Sequence, residues 1–76
     1  MPHVAIKMFP GRTIEQKKEL AERITKDVME VCGSERKVVS VSIEEIIPEQ
    51  WKEKVFIPEI KEKEELIFVP PEYDME

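Results

Sequence analysis

Residues 13–33 read Thr-Ile-Glu-Gln-Lys-Lys-Glu-Leu-Ala-Glu-Arg-Ile-Thr-Lys-Asp-Val-Met-Glu-Val-Cys-Gly, TIEQKKELAERITKDVMEVCG. Thr13 can accept a hydrogen bond from the backbone of a first helical turn. Gln16, three residues on, can reach back, so the pair forms a capping box. Ile14, Leu20, Ala21, Ile24, Val28, Val31 and Cys32 recur at helical spacing and form an apolar stripe. Glu19 with Arg23, and Glu22 with Lys26, stand four apart on the wet side. Gly33 is a natural C-terminal stop. The pattern predicts one helix over 14–32.

On either side of this helix the period changes from 3.6 to 2. Upstream, Pro2, Val4, Ile6 and Met8 alternate with His3, Ala5 and Lys7, which predicts a strand. Pro10 and Gly11 suit the centre of a type II turn, whose second residue needs a positive φ. Downstream, after the SERK connection, VVSVSIEEI alternates Val39, Val41 and Ile43 against Ser40, Ser42 and Glu44. Strand, helix, strand with short links is a βαβ unit, so the two strands are expected to be parallel, with a right-handed crossover. Pro48 ends the second strand, and Trp51 is expected in a loop after it. A second, C-terminal helix is expected from about Pro58, a suitable first-turn residue, to about Leu66, followed by extended chain. No internal repeat is evident. The expected class is therefore α/β (α+β), a single βαβ unit plus a C-terminal helix. A two-stranded sheet with a helix on one face leaves the other face and the edges bare. A second copy of the chain is the simplest cover.

Bulk properties agree with this picture. Seventy-six residues make one domain, 1–76. A core of that size supplies only about 3–5 kcal/mol, so small domains lean on disulfides, metals or association. Cys32 is the only cysteine, which excludes an internal disulfide. One Cys and one His make a poor zinc site, so no metal is expected. The formal net charge of −5 argues against nucleic acid and against anionic membranes. The opening MPHVAIK has no apolar signal region, and a free thiol suits a reducing cytoplasm, where the chain is expected to reside.

Few familiar chemistries fit. There is no Ser-His-Asp spacing, and two glycines cannot build a phosphate loop. One group remains. Removal of Met1 would leave Pro2 with a free secondary amine at the start of a strand. An α-amino group ordinarily titrates near about 7.7–8.0, so roughly a tenth is neutral at pH 7. An apolar pocket or a nearby cation such as Arg12 lowers that value. Trp51 could form part of the apolar wall. On the residues alone, however, Pro2 as a plain strand-edge proline is the stronger reading. Arg12 as a solvated surface residue and Trp51 as a core or interface residue also stand. His3 points away from the Pro2 side and reads as packing or solvent-facing. Cys32 reads as a small hydrophobe at the helix end.

PHVAIKMFPGRTIEQKKEL, followed by VVSVSIEEI and PEQW, resembles the 4-oxalocrotonate tautomerase family. Within it, the chain is most similar to the small bacterial subgroup acting on phenylpyruvate-type enols. The resemblance runs from Pro2 to about Trp51, and more loosely to Tyr73. It implies that a second copy completes a four-stranded sheet, as a homodimer or alternatively a hexamer. It implies a cofactor-free isomerase of 2-oxo acids and their enols, phenylenolpyruvate-like or 2-hydroxymuconate-like. Pro2 would be the general base, Arg12 the carboxylate ligand and Trp51 the aromatic pocket wall. Many members carry a second arginine where Ser40 stands here. Ser40 can steady a carbonyl with one neutral hydrogen bond but supplies no charge. That departure favours a substrate with one carboxylate and an apolar tail. Arg36 or Lys37 of a neighbouring copy is the available substitute. Two other readings remain: a related proline-dependent dehalogenase or hydratase, and a catalytically silent oligomeric binding protein.

Overall fold

The computed structural model describes residues 1–76. They divide into two compact units, Met1–Glu45 and Ile46–Glu76.

The first unit is the expected βαβ. Strand β1 spans His3–Met8, helix α1 Ile14–Cys32 and strand β2 Ser40–Glu45. The strands pair in parallel, with His3 opposite Ser40, Val4 opposite Val41 and Ile6 opposite Ile43. Opposed residues in a parallel ladder share a face, so Val4, Ile6, Val41 and Ile43 form one half-buried apolar layer. Helix α1 lies against β2, and Lys17 Nζ meets Glu45 at 3.0 Å. The opposite face shows His3, Ala5, Ser40, Ser42 and Glu44, all exposed.

The ends of α1 are set by local chemistry. Thr13 Oγ1 accepts from the Gln16 N–H at 3.1 Å, and Gln16 Oε1 accepts from the Thr13 N–H at 2.9 Å. Gly33 stops the helix in the left-handed region, at φ 69°. A Cβ there would meet nothing within 4 Å, so substitution strains the backbone alone. Gly33→Ala should therefore cost about 1 kcal/mol, read as a lower urea midpoint with an unchanged slope. At Gly11 φ is 129°, which meets the positive-φ requirement expected after Pro10.

Three features of α1 differ from the expectation. Ile14 and Val31, placed on the apolar stripe by periodicity, are exposed, Val31 by 83%. Cys32 is also exposed rather than packed. The buried residue is instead Thr25, whose hydroxyl donates to the Ala21 carbonyl at 2.7 Å. That internal bond satisfies the hydroxyl, so the side chain can be buried like a small hydrophobe. Finally, Glu19 pairs with Arg23 as expected, and Glu22 feels the charge of Lys26 as expected but makes its direct contact with Arg36.

The second unit is more helical than its sequence suggests. Helix α2 covers Pro48–Trp51, with Pro48 in its first turn, and runs on through wide π-type turns over Lys52–Ile60 and 3₁₀ turns over Lys61–Leu66. Trp51 therefore sits on a helix and not in a loop, with φ −59° and ψ −46°. Pro58 lies inside the helical run instead of starting it. It has no N–H for the carbonyl four residues back, and its ring crowds that carbonyl. The ladder widens in response, and the Lys61 N–H is shared between the Ile57 and Phe56 carbonyls. Ile46, Val55 and Phe56 are the most deeply buried apolar residues. Phe68, by contrast, is 97% exposed in the tail that follows Leu66.

Candidate functional site

Pro2 stands just before β1 and is half-buried. Its carbonyl accepts from the Ser40 N–H at 3.2 Å, so the sheet ladder ties it down before the first strand residue. The nitrogen one atom group away is thus attached to a fixed piece of backbone rather than to a fraying terminus.

Arg12 occupies the link between β1 and α1, directly before the Thr13 cap. It is exposed. Ion pairs engage Lys17, Arg23, Arg36 and Lys37, and none of them draws on Arg12. Its guanidinium follows directly on the turn before α1, close in sequence to the positive end of that helix.

Ser40 opens β2. Its backbone meets Pro2, but its side chain turns to the exposed sheet face, where Oγ lies 2.7 Å from His3 Nδ1. Sequence reasoning set His3 aside as merely packed or solvent-facing. The signal that could have found it is the parallel register, which puts His3 and Ser40 on one rung.

Trp51 belongs to the second unit. Its indole Nε1–H donates to the Tyr73 hydroxyl at 2.9 Å. The Tyr73 ring in turn tilts against Phe56, with centroids 5.6 Å apart and planes at 40°. Tyr73, uninformative in the sequence, is therefore the partner that holds Trp51. A cavity of about 470 Å³ in this unit is lined by Phe56, Ile60, Ile67, Pro70 and Tyr73. None of Pro2, Arg12, Ser40 or Trp51 lines it.

Neither candidate for the missing second arginine is idle. Arg36 grips Glu22 with two bonds, Nη1 to Oε2 at 2.6 Å and Nη2 to Oε1 at 2.7 Å. Lys37 Nζ lies 3.4 Å from Glu35. The bond to Arg36 holds the Glu22 carboxyl below its ordinary 4.5 and raises the guanidinium further. A lowered carboxyl contributes stability above its ordinary value and loses it as pH falls through the lowered one. The contact therefore persists at neutral pH and lets go only in acid, below 4.5. In Arg36→Ala, the Glu22 carboxyl should titrate at a higher pH than in the native chain, followed by carboxyl-carbon NMR.

The half-buried proline before β1, the arginine before the helix cap and the βαβ register can be set beside known proteins. The sequence profile described as "Tautomerase enzyme" matches residues 2–53. The chain belongs to the tautomerase family. Tautomerases are isomerases, and the matched span contains Pro2, Arg12, Ser40 and Trp51. Tautomerase PptA of Cronobacter sakazakii is 34% identical over 76 residues, covering 99% of this chain and 100% of the relative. Its similarity to this tautomerase thus continues through the C-terminal tail. The 2-hydroxymuconate tautomerase of Bacillus subtilis is 46% identical over 46 residues, 60% of this chain and 74% of the relative. The crystal structure of TomN, a 4-oxalocrotonate tautomerase homologue in the tomaymycin biosynthetic pathway, aligns with a TM-score of 0.63 at 30% identity. That alignment covers 66% of this tautomerase and 77% of TomN. No helix is long and apolar enough to cross a membrane.

Proposed function

We propose that this tautomerase interconverts the enol and keto forms of 2-oxo acids with the amine of Pro2 as general base, after Met1 is removed. The observation that carries the reading is the placement of Pro2, half-buried and held to Ser40 by a 3.2 Å backbone bond. A secondary amine on that backbone is positioned for proton transfer and needs no cofactor. Arg12 binds the substrate carboxylate through its paired donors. Pro2 takes the proton from the enol oxygen and returns it to carbon, giving the ketone. Ser40 contacts the substrate oxygen where the charge develops. Trp51, whose N–H is anchored to Tyr73, is the aromatic that the resemblance assigns to the apolar part of the substrate.

The substrate class follows from charge. Arg12 is available, whereas Arg36 and Lys37 have carboxylate partners of their own and Ser40 is neutral. One cation suits one carboxylate, so phenylenolpyruvate-like substrates are favoured over 2-hydroxymuconate-like ones. A second copy of the chain completes a four-stranded sheet, giving a homodimer active in the cytoplasm. The test is ketonisation of phenylenolpyruvate by a chain whose intact mass shows that Met1 is gone. Turnover no faster than the uncatalysed rate refutes the proposal in favour of a silent binding protein.

A further inference from the structure

Of the polar side chains on the exposed sheet face, one pair stands at the Pro2 end. His3 and Ser40 share the first rung of the ladder, and His3 Nδ1 lies 2.7 Å from Ser40 Oγ. The Ser40 N–H is at the same time bonded to the Pro2 carbonyl. Ser40 is thus held from both sides, by backbone to Pro2 and by side chain to His3.

The chemistry of that pair matches what a keto-enol reaction asks of a neighbour. A serine hydroxyl has one proton and two lone pairs. If Nδ1 carries no proton, it accepts a hydrogen bond from the Ser40 hydroxyl, and Ser40 can only accept from a third group. If Nδ1 carries the proton, it donates to Oγ, and the Ser40 O–H is free to donate. Neutral imidazole exists in two tautomers that differ only in which ring nitrogen carries the proton, and the His3 ring is exposed. An enol oxygen presents an O–H and needs an acceptor. The ketone oxygen has no proton and needs a donor. A fixed arginine serves only the second form, whereas the His3–Ser40 pair can serve both.

We propose that His3 is a positioning residue, setting by its tautomer the direction in which Ser40 hydrogen-bonds the oxygen that differs between enol and ketone. The inference rests on the tautomerase reading of Pro2 and Ser40 and extends it to a residue that does not touch the substrate. It also names the substrate class more closely: 2-oxo acids whose reacting oxygen is met by a neutral, reversible partner rather than a cation.

The experiment uses the processed full chain and phenylenolpyruvate. His3→Phe keeps a ring at an exposed strand position but removes both nitrogens. It should lower kcat by about tenfold, the loss expected for one transition-state hydrogen bond, with KM held within about twofold. Ser40→Ala should show the same loss. The double variant should be no slower than Ser40→Ala alone, because both changes break one unit. His3→Asn, whose amide offers a donor and an acceptor near the place of Nδ1, should restore most of kcat. Circular dichroism and melting curves establish that each variant is folded. Should His3→Phe not fold, Ser40→Ala and His3→Asn still decide, since the proposal requires a loss in the first and near-native kcat in the second. Native kcat in folded His3→Phe overturns the inference and leaves the proposed function standing. So do losses that multiply in the double variant, or a His3→Asn chain slower than Ser40→Ala. An inactive processed native chain overturns both.

Discussion

A chain that keeps Met1 is expected to ketonise phenylenolpyruvate about 10²- to 10⁴-fold more slowly in kcat than the processed chain, the usual contribution of a positioned base. The reason is electronic and not steric. With Met1 attached, the Pro2 nitrogen is a tertiary amide, its lone pair is delocalised into the carbonyl, and it binds no proton near neutral pH. Removal of one residue restores a basic amine. The fold is expected to be the same in both forms, because the bond that seats Pro2 uses its carbonyl and the Ser40 N–H, which Met1 removal leaves untouched. Met1 itself is 98% exposed and packs on nothing. Any rate difference therefore reports on the nitrogen. Processed Pro2→Gly should fall between the two. It keeps an amine but loses the ring that fixes φ, so the base is less well held. The comparison needs only intact mass, to count the residues, and a spectrophotometric ketonisation rate. Equal kcat in retained and processed chains, or in processed native and Pro2→Gly chains, removes Pro2 from the mechanism. A dehalogenase or hydratase built on the same nitrogen is separated by its pH profile. There the proline acts while protonated, so the rate falls as pH rises through the amine's value, where a tautomerase base gains.

Arg12→Ala should raise KM for the same substrate by about 10- to 100-fold, the range for losing charge-assisted hydrogen bonds to a carboxylate. The kcat should move less, because the carboxylate is bound alike in the ground and transition states. Arg12→Lys should recover only part of the loss, since an ammonium keeps the charge but not the paired donors. Stability should stay within about 0.5 kcal/mol, because Arg12 is exposed and enters none of the ion pairs that engage Lys17, Arg23, Arg36 and Lys37. That contrast separates a binding residue from a structural one. An unchanged KM would assign the carboxylate to another cation. A substrate with two carboxylates should bind no better than one with a single carboxylate, which steady-state kinetics on the two classes would show.

Much of the fold was legible in short pieces of sequence. The capping box at Thr13 and Gln16, the glycine at position 33 and the two alternating stretches each act over a few residues, so their consequences appear where they are written. The C-terminal unit was less legible. Pro48 and Pro58 can each open a helix, and the sequence offers no local reason to choose between them. The chain opens at Pro48 and absorbs Pro58 by widening its turns. Trp51 consequently moved from a loop to a helix, where Tyr73 receives its indole N–H from 22 positions away.

The candidate site divides along the same line. Pro2 and Arg12 were named through the family resemblance of the stretch that holds them, since their local positions alone read as a strand-edge proline and a solvated arginine. The direct contact of Glu22 with Arg36, across 14 positions, could not be read there. Nor could the burial of Thr25, which depends on its hydroxyl finding the Ala21 carbonyl. His3 and Ser40 stand 37 positions apart, and nothing near either predicts the other. Sequence alone determined the order and type of β1, α1 and β2, because periodicity, capping and glycine backbone freedom are short-range effects. Only the tertiary structure decided which polar groups meet, because a hydrogen bond between distant residues exists only once the parallel register has brought them onto one rung.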